Sequence, residues 1–351
     1  MEKSRKSFGS GLTTKFTPVL SIGDKHIPKT SSTLTVRDIL GRWKVRWGIG
    51  RRGFRVAPGL YAVGEPDRKS PVLVTANYKM TFDLVRQALA GIDAFILVLD
   101  TKGINVWCAA GKGTFGTAEL EARITSTGLR DVVGHRELIL PQLGAVGVAA
   151  HEIYAKTGFA VHYGPVRIDD IKAYIAAGME KTPAMARVQF KLRDRLAIIP
   201  VEITQALPIV IAIAAACSLL SLPFDPAFGV RFFSRVATML GAVAVGIVLF
   251  PPLLPYLPFR AFAAKGAILG LIWSLAAASL FRMSVPISIS LALAAIPLTA
   301  FLAMQYTGAS TYTNINGARI EVTRGIPIIL ISELLGLMGL IAERILSVRT
   351  A

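Results

Sequence analysis

The residue in this sequence best suited to chemistry is a thiol. Cys108 lies in Asn105-Val106-Trp107-Cys108-Ala109-Ala110-Gly111-Lys112, a glycine-flanked stretch with a cation close by, and it is one of only two cysteines in the chain. A thiol near a helix N-terminus and beside a cation is favoured as thiolate, the form that ligates a metal or acts as a nucleophile. Taken alone, such a cysteine is most often a small buried hydrophobe. No histidine or second cysteine lies within zinc-ligand spacing, and His135, His151 and His162 are isolated. A single protein thiolate suits a metal that brings its other ligands with it, as in a tetrapyrrole.

The adjoining glycines invite a second chemistry. Gly111-Lys112-Gly113-Thr114-Phe115-Gly116 fits the G-x-G-x-x-G pattern of dinucleotide loops, with Asp131 at about the right distance for a ribose carboxylate. That fingerprint should follow its strand directly, whereas several residues separate Asp100, at the end of an apolar run, from Gly111. The stretch also fails as a P-loop, because Val106 occupies the first glycine position and Gly113, not Ser or Thr, follows Lys112. What remains is the capacity of a glycine-rich turn to bring backbone amides close to a large planar or anionic ligand.

The elements that must position this stretch read as α/β from Pro58 to about Gly178. Pro71–Asn77 is a buried strand, Met80–Ala90 has helical spacing through Phe82, Val85 and Leu89, and Ala94–Leu99 is a second strand. Thr117–Thr125 follows as a helix, Leu138–Leu140 as a short strand into a turn, Val148–Thr157 as a helix, Phe159–Tyr163 as a strand and Ile168–Ala177 as a helix. The alternation predicts a Rossmann-like, mostly parallel sheet covered on both faces, with ligands at the carboxyl ends of the strands, where Thr75, Asn77 and the Cys108 stretch fall. Thr75 and Asn77 are also suited to capping the next helix. Residues 1–57 read as a separate basic segment whose Trp43 and Trp47 pack on the domain or lie at a membrane surface.

Apolar residues make up 53% of the 351, too many for an ordinary soluble protein, and they are concentrated in the second half. Residues 1–195 hold 30 Lys+Arg against 17 Asp+Glu, and residues 196–351 hold 9 against 5. Five apolar runs, at about 198–222, 232–254, 262–281, 284–306 and 326–345, each approach the length of about 20 residues that crosses a bilayer. A polar loop, 307–325, separates the last two. Domains are therefore expected at 1–57, 58–195 and 196–351. Arg187, Lys191, Arg193 and Arg195 precede the first run and favour a cytoplasmic N-terminal domain in the cytoplasmic membrane, although Arg231, Arg235, Arg282, Arg344 and Arg349 would lie on the far side. The opening MEKSRKSFGSGLTTKF lacks the apolar core of a signal peptide. Of the ionisable residues near or inside the runs, Glu202, Lys265 and Glu343 lie close to ends and Glu333 is central, suited to an interhelical contact or to transport.

Composition excludes several functions. The cations are scattered, with no helix-turn-helix or aromatic-basic repeat, so no nucleic-acid partner is expected; anionic lipid or an anionic ligand is the simpler account. Two cysteines cannot hold an iron–sulfur cluster, which takes about four thiolates, so low-potential electrons must come from a partner. Cys217, in an apolar run, is expected to be core.

The octet Asn105–Lys112 resembles the signature of the corrinoid membrane protein family of microbial mercury methylation. Ser70–Tyr78, Leu138–Leu143 and Tyr163–Arg167 resemble the corrinoid-binding domain which that family shares with the large subunit of the corrinoid iron–sulfur protein of the acetyl-CoA pathway. The five-span tail and the polar Thr307–Glu321 loop also look like the mercury family. Unlike the soluble iron–sulfur relative, this chain lacks clustered cysteines and carries a membrane tail. It also lacks the D-x-H-x-x-G histidine loop, since Asp24-Lys25-His26 continues as Ile27-Pro28-Lys29.

The resemblance implies a cobalamin-type corrinoid bound with its own base displaced, Cys108 on the lower face of cobalt, and transfer of a methyl group from cobalt to inorganic Hg(II), giving methylmercury. It implies Thr75 and Asn77 facing the corrin, and Asn105, Val106, Trp107, Ala109, Ala110, Gly111 and Lys112 as the cap around the thiolate. It implies a ferredoxin-like partner with two four-iron clusters and a methylated folate as methyl donor. Three other functions stay open: a corrinoid methyl carrier for another acceptor, a nucleotide-dependent membrane oxidoreductase, and a mercury transporter, which would need thiol or histidine pairs in the spans.

Overall fold

The computed structural model describes residues 17–220 and 228–349. Residues 1–16, which bear on a signal peptide, and the end of the first expected span lie outside them. The chain forms two compact units, Met1–Val188 and Gln189–Ala351.

The first unit is built on a seven-stranded sheet. Its elements run β1 (Thr17–Ile22), β2 (Lys25–Thr30), α1 (Val36–Arg46), β3 (Gly59–Val63), β4 (Val72–Ala76), α2 (Lys79–Ala88), β5 (Ala94–Leu99), α3 (Val106–Gly111), α4 (Thr117–Thr127), α5 (Leu129–Val132), β6 (Glu137–Leu140), α6 (Ala150–Thr157), β7 (Ala160–Tyr163) and α7 (Ile171–Ala176). The strand order is β1-β2-β3-β5-β4-β6-β7. β4 pairs in parallel with β5 and β6, and β6 with β7, as the alternation predicts. β1–β2 and β3–β5 are antiparallel, so the sheet is mixed.

The central strands β4 and β5 are buried along their whole length because both faces are covered. Val72, Val74 and Ala76 of β4 pack in one layer with Val106 and Ala109 of α3, Leu120 of α4 and Ile153 of α6. Leu73 and β5's Ile96 and Val98 pack in the other with Phe82 and Val85 of α2 and Tyr174 of α7. Strand periodicity of two makes this sorting compulsory.

The N-terminal part differs from expectation. Residues 17–57 are no separate segment: β1 and β2 extend the sheet, and α1 is tied to α2 by buried charges. Lys79 Nζ reaches Asp38 at 2.6 Å and Asp83 at 2.9 Å, and Arg86 reaches the same two carboxylates at 2.9 and 2.8 Å. Arg86 also donates to the Ser31 and Thr33 carbonyls, fixing the connection from β2 into α1. Composition alone suggested a basic segment, but the buried Asp38 and the Val45, Phe54 and Tyr78 cluster join the helix to the domain.

The second unit is helical: α8 (Leu192–Leu196), α9 (Ile199–Leu220), α10 (Phe228–Ala244), α11 (Phe250–Leu253), α12 (Phe262–Leu280), α13 (Val285–Gln305) and α14 (Ile315–Arg349). Five stretches, Leu192–Cys217, Gly229–Leu253, Phe262–Leu280, Val285–Gly308 and Asn316–Leu346, are long and apolar enough to cross a membrane. α12 and α13 approach closely at Gly266, where a Cβ would fall 2.6 Å from that of Ala303. Such small-residue contacts drive helix association where lipid removes the hydrophobic term. Cys217 is buried, as expected.

The expected 307–325 loop is largely helix. α14 begins at Ile315, because the Asn314 carboxamide accepts from the Gly317 amide at 2.9 Å, and Glu321 accepts from the Phe262 and Ala263 amides that open α12. Asn314 and Glu321, two of the polar residues read as loop, are end-caps instead.

Candidate functional site

Parallel strands β4, β5, β6 and β7 end along one edge, and the segments that leave them gather there: Asn77–Tyr78, residues 100–116, residues 141–149 and Gly164–Arg167. This edge of an open α/β sheet is where ligands bind.

Residues 100–116 carry the thiol on α3. Val106, Ala109 and Ala110 are buried in the core, at the i, i+3, i+4 positions of one helix face. Trp107, Cys108, Gly111 and Lys112 are exposed on the remainder. The octet is thus a short amphipathic helix rather than a glycine turn, and the thiol faces out because three apolar neighbours hold the opposite face in. Asn105 is its N-cap, its carboxamide oxygen accepting from the Cys108 amide at 3.0 Å. Space beside the thiol is open: a Cβ added at Gly111 would meet nothing within 4 Å.

The same helix disposes of the dinucleotide pattern. Gly111 ends α3 and Gly116 caps α4, so the glycines join two helices and do not follow a strand.

Asn77 is buried at the end of β4 and spends its side chain on the loop that leads to α3. Its carboxamide oxygen accepts from the Thr101 and Gly103 amides at 3.2 and 2.9 Å, and its NH2 donates to Asp100 at 3.1 Å. Burial works to raise the Asp100 carboxyl. The Lys102 ammonium and amide and the Asn77 amide outweigh it, so the carboxyl titrates below the ordinary range.

Thr75 is also buried, and its hydroxyl has no hydrogen-bond partner. Strand alternation puts it on the Leu73 face, in register with Val98, hence in the α2 layer and not the α3 layer. The structure therefore brings Asn77 to the Cys108 loop and leaves Thr75 on the other side of the sheet.

Residues 141–149 close the site from the next strand, and only Pro141–Leu143 of them fall in a stretch of family resemblance. Gly147 lies so close to Phe115 that a Cβ would fall 2.1 Å from its carbonyl oxygen. Thr117 donates its amide to the Gly147 carbonyl and accepts from the Ala149 amide, while Tyr163 donates to the Val148 carbonyl at 2.6 Å. Val146 is left 80% exposed on this loop, an apolar surface on the α3 edge of the sheet. The glycine spacing, Gly144 and Gly147, was the available signal.

A cleft of about 580 Å³, lined by Arg68, Val72, His135, Glu137, Ile139 and Met179 among others, lies at the amino ends of β4 and β6, the opposite edge from Cys108. It holds no thiol, so the candidate site remains the carboxyl edge.

Residues 44–175 match the family model described as CO dehydrogenase/acetyl-CoA synthase delta subunit, a match that covers this edge and stops before the membrane helices. The acetyl-CoA decarbonylase/synthase complex subunit gamma of Methanopyrus kandleri is 38% identical over 148 residues, 42% of this chain and 32% of that protein. The corresponding subunit of Methanothermobacter thermautotrophicus is 30% identical over 166 residues, 47% of this chain and 34% of that protein. The corrinoid/iron-sulfur protein large subunit of Moorella thermoacetica is 30% identical over 127 residues, 36% of this chain and 28% of that protein. The chain spans about a third of the length of these curated relatives.

Proposed function

We propose that this chain is a membrane-anchored, corrinoid-dependent methyltransferase that transfers a methyl group to inorganic Hg(II). The observation that carries the reading is the outward-facing Cys108 thiol on a helix whose other face is locked into the core, at the ligand-binding edge of a domain similar to a corrinoid/iron-sulfur protein. The residues fit a large planar cofactor. An exposed thiol, a partly exposed Trp107, open space at Gly111 and the apolar Val146 lie together on one edge, and the donor is a soft sulfur.

When bound, a corrinoid supplies a cobalt centre able to carry a methyl group and pass it to a soft electrophile. Cys108 Sγ is the group that would hold the metal from its lower face, with the cofactor's own base displaced. Asn105 fixes the backbone at Cys108, Val106, Ala109 and Ala110 seat the helix, and Trp107 and Lys112 bracket the thiol. Asn77 sets the loop that delivers α3. The mercury acceptor rests on the resemblance of the Asn105–Lys112 octet. The relatives that are subunits of acetyl-CoA decarbonylase/synthase complexes favour a second reading, a methyl carrier for another acceptor in one-carbon metabolism.

With two cysteines the chain cannot supply a four-thiolate cluster; the ferredoxin-like partner with two four-iron clusters that the resemblance implies would provide electrons, and the methylated folate it implies the methyl group. The first unit lies in the cytoplasm and the helices in the cytoplasmic membrane.

The test is the purified full chain loaded with a corrinoid and given reductant, methylfolate and Hg(II). Methylmercury formation, its loss in Cys108→Ala and a changed cobalt absorption spectrum in that variant support the reading. Corrinoid binding without methylmercury supports the other acceptor, and an unaltered spectrum in Cys108→Ala refutes the thiolate ligand.

A further inference from the structure

The exposed face of α1 has no role in the site. Val36, Ile39, Leu40 and Trp43 are 73, 54, 56 and 59% exposed, and their i, i+3, i+4, i+7 spacing aligns them in one stripe. Trp47, whose ring centroid lies 6.0 Å from that of Trp43, and the exposed Ile49 continue it. The opposite face is spent: Asp38 and Val45 are buried, and Gly41 abuts Phe54.

Charge is arranged around the stripe. Arg37 and Lys44 flank it about a quarter-turn to one side and Arg46 a quarter-turn to the other, as 3.6 residues per turn requires. Residues 36–55 hold seven cations and one acid, and the acid, Asp38, is turned inward. Long cations beside an apolar stripe bury their stems and keep their charges at headgroup level, and tryptophan favours that same depth.

We propose that α1 lies in the surface of an anionic bilayer, its Val36–Trp43 stripe in the acyl boundary and Arg37, Lys44 and Arg46 on lipid phosphates. An acidic protein would satisfy the cations but not a convex, open stripe of aliphatic and indole side chains. A lipid surface satisfies both. The chain itself carries helices long enough to cross a membrane, the first beginning at Leu192, so a bilayer is always tethered to this helix.

The experiment uses the full chain with Cys108→Ser and Cys217→Ala, carrying one nitroxide label at Leu40→Cys and reconstituted in vesicles with or without phosphatidylglycerol. Glu152→Cys, on exposed α6, is the aqueous reference and Leu275→Cys, on exposed α12, the lipid reference. The expected result with phosphatidylglycerol is high oxygen access and loss of access to a water-soluble nickel complex at position 40, as at 275. Arg37→Glu, Lys44→Glu and Arg46→Glu together should return position 40 to the behaviour of 152. Nickel access at 40 equal to that at 152 overturns the proposal. So does shielding from both reagents, which means a protein covers the stripe, and so does burial that is indifferent to phosphatidylglycerol and to charge reversal.

Discussion

The Asn105 carboxamide oxygen accepts a hydrogen bond from the backbone amide of Cys108 at 3.0 Å, so the residue that starts α3 also fixes the residue that presents the thiol. An N-cap of this kind contributes about 1 kcal/mol, and α3 spans only Val106–Gly111, too short to persist without caps and core contacts. Asn105→Ala is expected to lower thermal stability slightly and to weaken corrinoid binding more than stability, because the thiol loses its fixed position. Asn105→Asp, which keeps the acceptor, should restore both. Corrinoid titration by absorbance alongside a thermal melt separates the two effects.

Asn77 acts one layer further back. Its buried side chain accepts from two amides of the loop after β5 and donates to Asp100. Asn77→Ala leaves the buried Thr101 amide unsatisfied at about 1–3 kcal/mol and frees the part-exposed Gly103 amide and Asp100 carboxylate, so a loss of about that size and a loosened Asp100–Ile104 loop are expected. Proteolysis within that loop, faster than in the unmodified chain while the remaining fragment stays folded, would reveal the loosening.

Thr75 provides the opposite case. Its buried hydroxyl has no partner, and its side chain lies in the α2 layer. Thr75→Val removes an unsatisfied group at nearly constant volume, and a gain of about 1–3 kcal/mol is expected, with corrinoid affinity unchanged. A drop in affinity at unchanged stability would show that this hydroxyl meets the cofactor.

The α/β alternation was legible because β4, β5 and β6 are continuous apolar runs and α2 and α4 carry helical spacing; Ala94–Leu99 was read to the residue. β1 and β2 were missed because their hairpin turns on Gly23-Asp24 inside a stretch dominated by Lys, Ser and Thr, where alternation is faint. The thiol was legible as a candidate, but not the reason for its exposure, which depends on Val106, Ala109 and Ala110 meeting a core assembled from distant strands. The sidedness of Thr75 was hidden likewise: periodicity separates 75 from 74 and 76, yet only the packing of α3 and α2 says which face is which.

Asp38, Lys79, Asp83 and Arg86 form a buried, charge-balanced quartet, so deleting one carboxylate leaves an uncompensated cation at a cost of about 3–5 kcal/mol. Burial alone would raise the Asp38 carboxyl, but the Lys79 ammonium and the Thr35 amide and hydroxyl outweigh it and hold it well below the usual range. A carboxyl lowered in the folded state stabilises the fold above its unfolded value, about 3.9, and that stability is lost as pH falls through the folded value. Asp38→Asn is therefore expected to melt well below the unmodified chain at pH 7 and to lose less further stability on acidification below about pH 4. Circular dichroism melts of the detergent-solubilised full chain across that range check both halves. Equal midpoints at pH 7 would mean that the quartet's charge balance does not hold α1, and that the Val45, Phe54 and Tyr78 contacts hold it on the domain instead.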